Sequence, residues 1–118
     1  MDRLVELGRL LDAYGKLLTA RQSELLRQYA FEDCSLSEIA EREGVSRQAV
    51  RDAIARSEQQ LHAFEASLGL MQKYDAMRLA LRELTAAAER LRLTETEQAE
   101  LLGKIAAVAA CWEDEDGV

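Results

Sequence analysis

Proline is absent from this 118-residue sequence, and aromatic side chains make up only 5% of it. β-Branched residues are sparse, and no stretch alternates apolar with polar over the length of a strand. An all-β fold is excluded by that pattern, and a sheet of any size has little to form from. The apolar runs are too short to span a bilayer, and Met1-Asp2-Arg3 opens an amphipathic pattern rather than a signal-peptide core. Only two cysteines occur, Cys34 and Cys111, in neither a CxxC pair nor a disulfide framework. The expectation is a cytoplasmic protein with no membrane partner.

Catalytic groupings are missing as well. His62 is the only histidine, and one histidine cannot build a metal site without Cys or carboxylate partners at ligand spacing, so it reads as a surface or interface residue. The glycines never cluster into a phosphate-cradling loop, and no nucleophile with its base, nor any paired carboxylates, can be picked out. No enzyme, cofactor, metal or small-molecule substrate is expected. Cys34 reads as a small buried apolar residue, and Cys111 beside Trp112 as packing at the end of the last helix.

What the sequence has in quantity is leucine and alanine, 19 of each, both strong helix formers. With 48% apolar content it holds enough for a core, and the fold class it implies is all-α. Charge sets a second condition. Fifteen basic and 22 acidic residues leave a net charge of −7, so bulk attraction does not draw nucleic acid to this protein. Any such binding must come from a local patch.

Leu4, Leu7, Leu11, Tyr14 and Leu18 recur at three- and four-residue steps, one apolar stripe along a helix from about Asp2 to Leu18. Thr19 with Gln22 has capping-box spacing and opens a second helix carrying Leu25, Leu26 and Tyr29. Phe31 to Cys34 reads as a break. Ser35 with Glu38 is a second capping box, and the helix it opens stops at Gly44. Ser46 then caps a helix that begins at Arg47. Along it Ile54, Ser57, Leu61, Phe64, Leu68 and Met71 keep a heptad rhythm, which Tyr74, Met77, Leu81, Leu84, Ala88 and Leu91 resume out of phase by one residue. That slip predicts a break or kink near Gly69–Gln72. Thr94 with Glu97 opens the last helix, containing Leu101, Leu102, Ile105 and Val108, and Glu113-Asp114-Glu115-Asp116 reads as a solvated, frayed tail.

Residues Leu36 to Leu61 fit a helix-turn-helix, two helices crossing steeply over a tight turn so that the second can enter a major groove. Ala40 supplies the small residue where the helices touch, and Gly44 the residue tolerant of positive φ. Ile39, Val45, Val50 and Ile54 are expected to fill the wedge. Taking Val50, Ala53, Ile54, Ser57 and Leu61 as inward leaves Arg47, Gln48, Arg51 and Asp52 on the outer face, with Arg56 extending a small positive strip. Arg and Gln carry the paired groups that match guanine and adenine edges, and Ser46 can donate to a phosphate. The candidate nucleic-acid-binding residues are therefore Ser46, Arg47, Gln48, Arg51 and Arg56.

Three strings, Leu17-Leu18-Thr19-Ala20-Arg21-Gln22, Ser35-Leu36-Ser37-Glu38-Ile39-Ala40-Glu41 and Val45-Ser46-Arg47-Gln48-Ala49-Val50, closely resemble the YlxM family. These are small bacterial helix-turn-helix proteins encoded next to the signal recognition particle GTPase. The segment from Leu17 to Leu61 is also similar to region 4 of sigma factors. The resemblance covers roughly the first 70 residues and implies an all-α, dimeric protein with a DNA-binding or regulatory role tied to the signal recognition particle. Two positions depart from the family pattern. Glu43 stands where an aromatic or apolar residue often completes the wedge, which should weaken packing, and Arg51 replaces a frequent aromatic and makes the outer face more cationic.

The organisation expected is a helix-turn-helix domain over 1–70 with its motif at 36–61, a helical extension over 71–112, and an acidic tail over 113–118. The extension has little domain left to pack on, so burial against a second copy is favoured over folding back on the first helices. Two functions compete. One is a homodimeric regulator placing the helix after Ser46 into DNA. The other is an accessory protein that binds the GTPase or RNA of the signal recognition particle. A bare dimerisation module would leave Arg47, Gln48 and Arg51 without a role.

Overall fold

The computed structural model describes residues 2–112, which form six α-helices and no strand. The acidic run Glu113–Asp116 lies outside the described residues. The chain is all-α. By internal contacts it divides into two compact units, Met1–Met71 and Gln72–Val118.

Unit 1 begins with α1 (Arg3–Tyr14), started by Asp2, whose carboxylate accepts from the Leu4 N–H. The apolar stripe extends to Leu18, but the α-helix does not. From Gly15 to Leu17 the chain tightens into a 3-10 turn, closed by the Leu18 N–H on the Gly15 carbonyl at 3.1 Å. The same carbonyl accepts from Ser23 Oγ at 2.8 Å, a tie across the turn that spacing alone does not announce. Next comes α2 (Ala20–Ala30), with Thr19 and Gln22 bonded reciprocally in a capping box. α3 (Leu36–Glu43) opens on the equivalent box of Ser35 and Glu38, and stops at Gly44 in the left-handed conformation, φ +68°. α4 (Arg47–Leu68) follows, and ends at Gly69, again left-handed with φ +63°. The predicted break between the two heptad runs is therefore a full helix end.

α4 is the spine of unit 1, with α1, α2 and α3 all packed on it. Leu7, Leu11, Tyr14 and Leu18 from the first stripe are buried, together with Leu25, Leu26, Ile39, Ala40, Val50, Ile54 and Leu61. Each leucine, isoleucine or valine among them contributes ~1.5–3 kcal/mol when taken from water, and this burial fixes α4 against the other helices of the unit. Two members of this core lie off the simple pattern. Leu10 is fully buried between stripe positions, and Gln28 is a buried amide on α2. Val45 departs in the other direction. Expected in the wedge, it is 38% exposed, because the left-handed Gly44 turns the chain outward and only the Val45 backbone stays engaged, its N–H donating to Ala40.

Unit 2 holds most of α5 (Leu70–Arg90) and all of α6 (Glu95–Ala110), antiparallel and joined by a short turn. Thr94 and Glu97 form the third capping box. Among its described residues only Ala88 and Ile105 are fully buried. Leu79, Leu84, Leu91, Val108 and Trp112 are exposed, and Tyr74 and Trp112 meet as tilted rings 6.3 Å apart. Cys111, expected to pack at the helix end, is exposed instead, its thiol turned back to the Ala107 carbonyl. Cys34 is buried, as a small apolar residue should be.

Candidate nucleic-acid interface

The crossing of α3 and α4 begins with local chemistry. Ser35 ends the preceding loop, and its hydroxyl accepts the Glu38 N–H while Glu38 Oε1 accepts the Ser35 N–H at 2.8 Å. Those bonds hold the Glu38 carboxyl below the usual carboxylate range, the backbone N–H of Ser35 more than its hydroxyl. Ala40, one turn on, is buried, and α3 packs on α4. At Gly44 no other atom lies near a would-be Cβ, so the requirement there is the positive φ alone. Ser46 Oγ accepts the Ala49 N–H at 3.0 Å and starts α4, leaving the hydroxyl hydrogen free to donate outward.

Every predicted contact residue on this helix is exposed: Ser46, Arg47, Gln48, Arg51 and Arg56. They do not form a single line. Arg47 and Arg51 stand one turn apart on one flank, while Arg56, five residues beyond Arg51, lies about 140° further round the helix. Between the flanks, opposite Val50 and Ile54, is Asp52, whose Oδ1 accepts from Gln48 Nε2 at 2.9 Å. Among the described residues no ion pair engages Arg47, Arg51 or Arg56. Three other arginines of unit 1 are ion-paired: Arg3 to Glu58 at 2.6 Å, Arg21 to Glu43 and Arg42 to Glu32, each at 3.3 Å.

Glu43 belongs to a network that the sequence did not reveal. Its carboxylate accepts from the buried Gln28 at 3.2 Å and from Arg21, while Arg42 donates to the Gln28 side-chain Oε1 at 3.4 Å. The expected packing defect at Glu43 is thus filled by hydrogen bonds that tie α2 to the last turn of α3. A buried polar group whose bonds are made costs little, and one left unpaired costs ~1–3 kcal/mol. His62 is exposed and lies 3.8 Å from Glu58. Among the described residues no group of three or more His, Cys, Asp or Glu is placed to hold a metal ion, and no helix is long and apolar enough to cross a membrane.

Two helices packed on each other, a left-handed glycine turn between them and a capped second helix define a helix-turn-helix protein. A family described as "Putative helix-turn-helix protein, YlxM / p13 like" matches residues 1–101, well past the motif itself. The chain is 43% identical over 99 residues to the UPF0122 protein STH1464 of Symbiobacterium thermophilum, covering 84% of this chain and 92% of that one. A UPF0122 protein of Acetivibrio thermocellus is 49% identical over 74 residues, 63% of each chain. The UPF0122 protein ABC2295 of Shouchella clausii is 40% identical over 84 residues, covering 71% of this chain and 77% of that relative. The chain belongs to this UPF0122, YlxM-like family.

Proposed function

We propose that this protein is a cytoplasmic, homodimeric regulator that places the N-terminal turns of α4 in a DNA major groove. The observation that carries the reading is the exposed start of α4, where Arg47, Arg51 and Arg56, engaged in no ion pair among the described residues, stand on either side of Gln48 and Asp52. In this reading Arg47, Gln48 and Arg51 meet base edges or phosphates, Ser46 donates to a phosphate, and Arg56 reaches the backbone from the opposite flank. Two half-sites imply two copies. Unit 2 supports that, because among its described residues the two-helix hairpin buries only Ala88 and Ile105 and leaves Leu79, Leu84, Leu91, Val108 and Trp112 exposed. The link to the signal recognition particle rests on the family resemblance.

The net charge of −7 favours a second reading, an accessory protein that binds the GTPase or RNA of the signal recognition particle. Protein-mediated docking tolerates that charge better than a polyanion does. Purifying the protein from a lysate with and without nuclease separates the two. Duplex DNA recovered only without nuclease supports the regulator. A protein partner that survives nuclease, or structured RNA in place of DNA, supports the accessory role.

A further inference from the structure

We propose that Asp52 is a positioning residue that locks Gln48 into reading adenine rather than guanine. The inference rests on the DNA-binding reading above and goes beyond it, to the base that one side chain selects.

Gln48 and Asp52 are four residues apart on an unbroken helix, so their side chains stack on one face. Asp52 is two residues from both Val50 and Ile54, which are buried, and this places it on the side away from the core. Gln48 Nε2 donates to Asp52 Oδ1 at 2.9 Å. An ionised carboxylate only accepts, so the amide must turn its NH2 end toward Asp52 and its oxygen away. One of the two N–H groups is then committed. What Gln48 can still offer a ligand is one N–H beside one oxygen, a donor next to an acceptor.

Adenine presents the matching pair in the major groove, the N7 acceptor and an N6–H donor. Guanine presents two acceptors, N7 and O6, and an unrestrained glutamine could meet them only by turning both N–H groups to the base. With Asp52 in place that requires breaking a hydrogen bond to a charged group, so guanine is penalised. The carboxylate has an opposite effect on affinity, since it repels the phosphates on either side. Asp52 therefore exchanges affinity for discrimination, a repulsive element that sharpens a choice.

The test is selection from a randomised duplex DNA library with the full-length wild-type protein and the variants Gln48→Ala, Asp52→Ala and Asp52→Asn, each checked for helical content. The wild type should favour adenine over guanine at one position of the half-site by about tenfold. Gln48→Ala and Asp52→Ala should both bring that position to near parity. Asp52→Asn keeps an oxygen that can accept from Gln48 but loses the charge, and should retain the preference while binding all duplexes more tightly. If Asp52→Ala keeps the wild-type ratio, or loses it at a position that Gln48→Ala leaves unchanged, the inference is overturned and the DNA-binding reading stands. If the wild type enriches no duplex at all, both fall together.

Discussion

Tyr14 on α1 and Glu65 on α4 together cap the start of α5. The buried Tyr14 hydroxyl donates to the Glu65 carboxylate and accepts the Leu70 N–H at 2.9 Å, while Glu65 Oε1 also accepts the Met71 N–H at 3.0 Å. The first N–H groups of a helix have no partner within it. Elsewhere in this protein a Ser, Thr or Asp at the N-cap meets that need, but after Gly69 the acceptors come from two other helices.

Replacing Tyr14 by phenylalanine should cost ~1–3 kcal/mol, because Glu65 and the Leu70 N–H both lose a partner. Burial first, and then the bond to Glu65, hold the Tyr14 hydroxyl above the usual phenol range. The folded state thus binds this proton more tightly than the unfolded chain does. Its contribution is complete below about pH 10 and is lost as pH rises through the folded value. Urea unfolding across the alkaline range should show a decline in the parent that is shallower in Tyr14→Phe. Equal slopes would mean that the hydroxyl is not held as described.

Acid works on a different residue. Glu38 has its carboxyl lowered by the Ser35 N–H and hydroxyl, so it stabilises the fold above its ordinary value of 4.5 and that contribution is lost as pH falls through the folded value. Glu38→Gln keeps the acceptor of the capping box and removes the titration. Thermal melts of the two proteins should converge as pH falls, with the parent ahead near neutrality.

Ala40 is buried on α3, which packs on α4, and if the helices cross there Ala40→Leu should overpack the contact at a cost of ~1–3 kcal/mol. Calorimetry decides. An unchanged melting temperature would contradict a crossing at this residue.

Arg47→Ala and Arg51→Ala should each weaken DNA binding by ~1–3 kcal/mol where the arginine grips a base, or flatten the salt dependence by about one unit of slope where it neutralises a phosphate. Fluorescence anisotropy over a salt series distinguishes these cases. Affinity unaltered at every salt concentration in both variants, with folding intact, would remove them from the interface.

Leu84 and Leu79 are about half exposed on α5, at 48% and 52%. If a second copy covers unit 2, Leu84→Glu should shift the protein toward monomer, since an unpaired charge would be buried in the interface. Sedimentation at micromolar concentration reads the result directly. A parent that already sediments as a monomer would remove the dimer from the proposed function.

Local chemistry by itself determined much of this molecule. Three reciprocal capping boxes, Thr19–Gln22, Ser35–Glu38 and Thr94–Glu97, form as their three-residue spacing requires, because the bonds involved reach no further than one helical turn. Gly44 and Gly69 end their helices for an equally local reason, the positive φ that other residues resist. The exposed start of α4 was legible too, since the side of a helix that faces away from a known apolar seam follows from its period. Tertiary structure decided what those rules cannot reach. It turned Val45 out of the wedge, gave Glu43 partners on α2, and supplied the α5 start with acceptors from Tyr14 and Glu65. Each of the last two depends on groups brought together from distant parts of the chain, and a polar side chain's partner is fixed by where the helices pack rather than by its neighbours in sequence.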